Sequence, residues 1–165
     1  MTTAPLVIFA VGNPSRGDDA IGPQLAERLA AWLAAEGLAG CELIEDFQLQ
    51  IEHSLDLRGR RLALFIDAGS ATPAPYTFRR IGPACGIAHT THALTPQMVL
   101  QVYAATENQP PPPAFVLCVR GESFELGDAL GAAAENHATA AFGLLKELCR
   151  TADLEHWQAR QSDGA

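Results

Sequence analysis

The chain has 165 residues, of which 48% are hydrophobic and 18% are charged, and its formal net charge is −8. This length and apolar content fit one globular domain with a sizeable core and exclude a wholly disordered chain. Because the acidic surface carries one lysine and scattered arginines, nucleic acid and anionic membranes are excluded as expected partners.

The ends and the cysteines of the sequence indicate a cytoplasmic protein. Residues 1–5 lack the basic start and cleavage site of a signal peptide, and no apolar run approaches the length of a membrane span. The widely spaced cysteines form no C-x-x-C pair, which favours a reducing compartment over a disulfide framework. They are Cys41, Cys85, Cys118 and Cys149, and all but Cys85 are expected in the core.

The first half of the chain alternates strand and helix patterns. The continuous apolar run at 6–11 is typical of a buried parallel strand. Apolar residues then recur at helical spacing from Ile21 to Leu33, with Asp18 or Asp19 as the candidate N-cap. Three further elements are predicted here: strands at 41–46 and 62–66, the second ending at Asp67, and a short helix at 51–57.

The second half continues the alternation. Its predicted elements are an edge strand at 76–81, an irregular stretch at 82–91, a helix opened by Thr95-Pro96 that runs to about Ala105, a proline connector at 110–113 and a buried strand at 114–119. Asp128 is the expected cap of a last helix, and residues after about Thr151 are expected to fray.

This order of elements predicts an α/β fold. We expect a single three-layer domain over residues 1–150, with a twisted, mostly parallel sheet and helices on both faces, followed by a polar tail at 151–165. Ligands of such folds bind outside the carboxyl ends of the strands. The segment with Asp18 and Asp19 follows the first strand and Asp67 ends another, so these carboxylates should share one edge of the sheet.

The loop after the first strand has glycine spacing, Gly12 to Gly17, that superficially matches the start of a phosphate-binding loop. The next residues of such a loop should be Lys and Ser or Thr, whereas here they are Asp18 and Asp19. Two carboxylates at a helix N-terminus repel phosphate. The loop therefore suits a cation or a cationic donor.

A histidine between Cys85 and Leu94 is the third candidate for the site, and His92 directly precedes the helix that starts near Thr95. Two carboxylates and an imidazole suit a borderline divalent ion such as nickel or zinc. Three protein ligands leave coordination positions free for a substrate group or water.

Simpler interpretations stay open for each candidate. Asp18 and Asp19 could act only as helix caps, and Asp67 could only accept backbone hydrogen bonds at its strand end. His89 and His92 could be ordinary loop residues, or they could form a local metal site with Cys85, although no fourth ligand stands at a standard spacing. His53 and His156 have no supporting neighbours in the sequence.

Four motifs of the chain resemble, in order, those of the hydrogenase maturation proteases, the endopeptidases of the nickel–iron hydrogenase large subunit. They are Val11-Gly-Asn-Pro-Ser-Arg-Gly-Asp-Asp-Ala-Ile-Gly22, Phe65-Ile-Asp-Ala68, Thr91-His-Ala-Leu94 before a helix, and Arg120-Gly-Glu-Ser-Phe-Glu-Leu-Gly127. Each motif is weak alone, but the ordered set is fairly specific and spans roughly residues 7–149.

The resemblance implies an activity and a set of site residues. The activity is removal of a short C-terminal extension from the hydrogenase large-subunit precursor after nickel insertion. The positions that contact the metal fall on Asp19, Asp67 and His92, which the resemblance also makes the catalytic set. It implies no cofactor of the enzyme's own, since the nickel belongs to the substrate. A monomer that binds its precursor transiently is expected.

Two segments depart from the pattern of the family. Many members have a Gly-Gly-Thr stretch where this chain has residues 46–53, and a proline often follows the glutamate at the position that Ser123 occupies here. The first segment should lie beside the site, so substrate choice could differ. Neither departure removes a proposed ligand, and the hydrogenase that is processed stays open.

The chemistry and two other function classes also stay open. Either a metal polarises the attacking water, or Asp19 and Asp67 share the acid–base work as in aspartic-type peptidases. A Ser nucleophile is not expected, because the G-x-S-x-G elbow is missing from the sequence. One alternative is a non-catalytic nickel-binding or chaperone module with the same three residues. A nucleotide-binding oxidoreductase module ranks below it, because the sequence has no G-x-G-x-x-G.

Overall fold

The computed structural model describes residues 2–85 and 94–163. Within these ranges the strands are β1 (Leu6–Val11), β2 (Cys41–Asp46), β3 (Leu62–Gly69), β4 (Tyr76–Ile81) and β5 (Ala114–Arg120), and the helices are α1 (Ile21–Glu36), α2 (Pro96–Glu107), α3 (Ala132–Arg150) and α4 (Leu154–Ala159). Gly17–Ala20 and Ile51–Leu57 are short 3₁₀ helices. The predicted strands and helices up to β5 are confirmed, with β3 and α2 running a few residues further than expected.

The described strands form a mixed sheet in the order β2-β1-β3-β5-β4. The first four strands in this order pair in parallel, and β4 pairs antiparallel with β5 at one edge. After β1 the chain forms β2, which pairs with one edge of β1, and then β3, which pairs with the other edge. The gap between the carboxyl ends of β1 and β3 is therefore a topological switch point, where ligands of such folds bind.

The alternation of side chains along the buried strands builds two cores. From β1, Leu6, Ile8 and Ala10 belong to the core that α1 and α3 cover. Val7, Phe9 and Val11 face the opposite core, which α2 and the 3₁₀ helix Ile51–Leu57 cover. Helices on both faces of a largely parallel sheet confirm the predicted three-layer α/β fold. None of the described helices is long and apolar enough to cross a bilayer.

The expected caps of two helices are wrong. Helix α1 has Ala20 and α3 has Gly131 at the N-cap, and neither has a side-chain cap bond among the described residues. Asp18 and Asp19 lie in the 3₁₀ turn before α1, which carries the chain into the helix without a capping side chain. Asp128 instead accepts a hydrogen bond from the hydroxyl of Ser123 (3.3 Å).

The expectation that the chain frays after Thr151 is also wrong. Residues 154–159 form α4, which Asp153 caps through the N–H groups of Glu155 and His156. The fully buried ring of Trp157 packs edge-on against two phenylalanines of the sheet. Its indole N–H also donates to two backbone carbonyls. One large aromatic side chain thus anchors a segment whose other residues are mostly polar.

Candidate active site

A cavity of about 280 Å³ opens at the switch point between β1 and β3. It brings together the end of β1, the turn before α1, the segment after β2, the end of β3 and the start of α2. Its lining residues are Val11, Gly12, Asp19, Phe47, Gln48, Leu49, Asp67, Leu94, Thr95 and Pro96. The structure therefore places both predicted carboxylates, Asp19 and Asp67, in one cavity at the carboxyl edge of the sheet.

Asp19 is held by the loop that precedes it. Its Oδ2 accepts a hydrogen bond from the backbone N–H of Asn13 (2.7 Å), and the Asn13 Oδ1 in turn accepts from the N–H of Ser15 (2.9 Å). A Cβ atom at Gly12 would lie only 2.0 Å from the backbone oxygen of Asp19. Glycine is therefore required at residue 12 for the end of β1 to approach the Asp19 turn this closely.

Asp18 is 2% exposed and has a structural role. Its carboxylate accepts hydrogen bonds from the N–H groups of Glu122 (2.6 Å), Gly131 (2.8 Å) and Ser123 (3.1 Å). Burial alone would raise the pKa of Asp18, but these three donors, with His137 acting in the same direction, hold it below the ordinary value. Asp18 thus ties the turn that carries Asp19 to the segment after β5.

Asp67 lies inside β3, opposite Cys118 of β5, and not at the strand end as expected. Its Oδ1 accepts from the N–H of Ala68 (2.8 Å). Burial raises the pKa of Asp67 to about 6; the Ala68 donor opposes this shift and the negative charge of Asp19 adds to it. The charge of Asp19 therefore acts on Asp67, as expected of groups that share a cavity.

Beside Asp67, the hydroxyl of Thr72 and the thiol of Cys118 lie 2.9 Å apart in hydrogen-bond contact. Burial raises the pKa of the Cys118 thiol; the Thr72 contact lowers it and the charge of Asp67 raises it further. From the sequence, Cys118 was predicted only to lie in the core, and Thr72 was not singled out. No local pattern links these residues, since they are 46 positions apart.

The segment after β2 forms another wall of the cavity, and His53 organises it. The imidazole Nδ1 accepts from the N–H of Gln50 (2.8 Å), and Nε2 lies 3.5 Å from the carboxylate of Asp46. The ring is buried and packs edge-on against Phe9. No supporting neighbour of His53 was identified from the sequence, although Gln50, three positions before it, forms a capping box with it in the structure.

His92 and His89 lie outside the described residues, so the structure does not test the third predicted site position. Leu94, two positions after His92 in the sequence, lines the same cavity as Asp19 and Asp67. Cys85, the other member of the possible local metal site, is exposed. In the part of the chain that the structure describes, no three His, Cys, Asp or Glu side chains form a group that could hold a metal ion.

No protein-family model and no curated protein sequence matches the chain. Solved structures do match it over most of its length. The endopeptidase HybD from E. coli, a hydrogenase-maturating enzyme, aligns with a TM-score of 0.65 and 21% identity over 92% of this chain and 94% of its own. HycI from Thermococcus kodakarensis KOD1, a [NiFe] hydrogenase maturation protease, gives 0.62 and 22% over 90% and 94%.

A third match is the hydrogenase 2 maturation peptidase of the Thaumarchaeota archaeon SCGC_AB-539-E09, with a TM-score of 0.58 and 17% identity over 86% of this chain and 96% of that one. All three matches cover nearly the whole of each partner, so the likeness extends to the complete arrangement of the sheet and its helices. The chain therefore has the fold of these maturation proteases, as the sequence motifs implied.

Proposed function

We propose that this protein is an endopeptidase that removes the C-terminal extension of a nickel-loaded hydrogenase large-subunit precursor. The observation that carries the proposal is the pair of carboxylates, Asp19 and Asp67, in one cavity at the switch point of this fold. The structural neighbours named as maturation proteases support the same reaction class.

The raised pKa of Asp67 suits it to proton transfer. A carboxyl group with a pKa of about 6 gains and loses a proton near neutral pH more readily than an ordinary aspartic acid. In the reaction, water adds through its oxygen to the scissile carbonyl carbon, and a carboxylate takes up the proton that the water loses. The C–N bond then breaks as a proton passes to the departing amine.

The nickel of the precursor is the recognition element in this proposal. Asp19, Asp67 and His92 offer carboxylate oxygens and one imidazole nitrogen to an ion that the substrate already holds, and this donor set suits a borderline divalent metal. Contact with the ion would position the scissile peptide, so cleavage depends on prior nickel insertion. The protein needs no resident cofactor for this sequence of events.

Two routes to the attacking water are compatible with the cavity. In the metal-assisted route the substrate's nickel polarises the water, and in the aspartic-type route Asp19 and Asp67 share the acid–base work. Both routes need the two carboxylates in one cavity. We propose that the protein acts in the cytoplasm as an acidic monomer with a transient precursor complex.

The experiment is mass spectrometry of a large-subunit precursor, nickel-loaded or nickel-free, after incubation with the protein. We expect loss of a C-terminal peptide from the loaded precursor alone. Asp19→Asn and His92→Ala should abolish the loss while retaining the fold, and Asp163→Asn, an exposed change of the same chemistry, should not.

Each contrary result has a distinct meaning. Cleavage by Asp19→Asn or by His92→Ala at the wild-type rate would remove that residue from the site. Binding of the loaded precursor without shortening would replace the peptidase by the non-catalytic nickel-binding or chaperone module.

A further inference from the structure

Exposed apolar side chains gather beside the cavity. Five large hydrophobic residues are exposed in the described ranges, and three of them fall within nine positions: Phe47 at 67%, Ile51 at 58% and Leu55 at 52% exposure. Single exposed apolar residues need no explanation, whereas a local cluster often marks an interaction site. We call these three residues the 47–55 patch.

The buried imidazole of His53 links the segment that carries Phe47 to the 3₁₀ helix that carries Ile51 and Leu55. One ring contacts Asp46 through Nε2 and the N–H of Gln50 through Nδ1. Phe47 directly follows Asp46 in the sequence, and Ile51 directly follows Gln50. Along the axis of the 3₁₀ helix, Ile51 and Leu55 are about 8 Å apart, from a rise of about 2 Å per residue.

The patch is presented on a well-packed base. Leu49 and Leu57, on either side of Ile51 and Leu55 in the sequence, are buried in the core beneath α2. The 3₁₀ helix itself packs against α2. A partner would therefore meet a preorganised surface, which lowers the ordering cost of association.

The chain segment that carries the patch is acidic, and one arginine from outside it, Arg16, lines a neighbouring pocket together with Phe47. Residues 45–57 contain four carboxylates and no lysine or arginine. The next two cations along the chain, Arg58 and Arg60, are engaged with Glu107 and Glu42 respectively. An apolar surface with an anionic rim complements an apolar segment flanked by lysine or arginine.

The patch is continuous with the candidate active site, because Phe47 belongs to both. Phe47 lines the cavity that contains Asp19 and Asp67, and Ile51 and Leu55 are exposed four and eight positions later in the chain. We propose that the 47–55 patch docks the hydrogenase precursor through an apolar segment flanked by basic residues. The inference rests on the proposed function, since it takes the occupant to be that precursor.

The test compares wild-type protein with the double variant Ile51→Ser and Leu55→Ser, which changes two exposed positions. Leu38→Ser, at an exposed leucine outside the 47–55 patch, is the matched control. The dissociation constant for the nickel-loaded precursor is measured by surface plasmon resonance, and the KM for its cleavage by mass spectrometry.

We expect the double variant to raise both the dissociation constant and the KM about tenfold, because two aliphatic contacts are lost. The control should leave both unchanged, and wild-type association should slow as salt screens the acidic rim. Wild-type values for a double variant with unchanged thermal stability would overturn the docking surface and leave the proposed function intact. If wild-type protein neither bound nor cleaved the precursor, both proposals would fall.

Discussion

The fold disfavours the ionised form of Asp67, as expected if this carboxyl group takes part in the proposed reaction. Its pKa of about 6 lies above the ordinary aspartate value, so folding costs free energy whenever the group must be charged. The cost is fully present well above pH 6 and disappears below about pH 4, where the carboxyl group is protonated in both the folded and the unfolded state. Under the proposed function, catalysis and stability therefore oppose each other at Asp67.

Asp67→Asn should therefore stabilise the metal-free protein while abolishing cleavage. We expect a gain of roughly 1–3 kcal/mol in the free energy of unfolding at pH 8, since a tenfold difference in proton affinity is about 1.4 kcal/mol. The gain should fall to a small fraction of this value near pH 4. Urea titrations at the two pH values measure it, with Glu27→Gln as the control for removing a surface charge. A variant less stable than wild type at pH 8 would contradict the assignment.

Asp18 illustrates the opposite use of a carboxylate. Three backbone N–H groups compensate its burial and lower its pKa, so its charge stabilises the fold at neutral pH. That stability is present above the ordinary aspartate pKa and is lost as the pH falls through the lower folded value. Neighbouring aspartates in one sequence motif thus divide the work, since Asp18 fixes the turn and Asp19 faces the cavity.

At the scale of elements, the strands could be predicted because their cause is local. Uninterrupted apolar runs such as 6–11 have one plausible place in a soluble α/β fold, the buried centre of the sheet. The carboxyl-edge rule then brings Asp19 and Asp67 together without coordinates. The predicted helix caps were wrong because the tertiary fold decides which hydrogen-bond donors lie near these carboxylates. Asp18 bonds residues more than 100 positions away.

The contact of Thr72 with Cys118 could not be predicted for the same reason, because the two residues lie on segments that meet only in the assembled sheet. The role of His53 was missed for a different reason: its partner Gln50 is local, but a Gln–His capping box differs from the usual Ser or Thr with Glu or Gln. Helix α4 was not predicted, because residues 151–165 are mostly polar on average and their one large buried aromatic side chain, Trp157, does not change that average. Composition reports the average of residues 151–165, whereas Trp157 is the one residue between 151 and 163 that is fully buried in the core.

Trp157→Ala should accordingly lower the free energy of unfolding by about 3–5 kcal/mol, the range for removing a large buried aromatic. The loss combines the contacts with Phe78 and Phe115 and the two hydrogen bonds of the indole N–H. Denaturant unfolding measures it. Trp32→Ala removes a partly buried indole and should cost clearly less. Equal losses for the two variants would contradict the anchoring role of Trp157.

At the scale of the whole molecule, the peptidase and the nickel-binding module differ in where the metal is held. A peptidase that senses nickel in its substrate should bind the free ion weakly, since release of the product requires the contact to break. A binding or chaperone module should hold the ion itself. The chain's net charge of −8 attracts any divalent cation from a distance, so weak non-specific association must be separated from site binding.

We therefore expect excess Ni²⁺ to leave the melting temperature of the isolated protein nearly unchanged. The measurement is made in 0.15 M salt, because the Debye length is then about 8 Å and non-specific association with the acidic surface is weak. A ligand that binds only the folded state stabilises it by an amount that grows with its concentration over the dissociation constant, so tight binding would be visible as a rising melting temperature. Mg²⁺ serves as the control for general charge effects. A large rise that nickel alone produces, and that Asp19→Asn removes, would contradict the peptidase proposal and favour the nickel-binding module, because it would place a resident nickel site in the cavity.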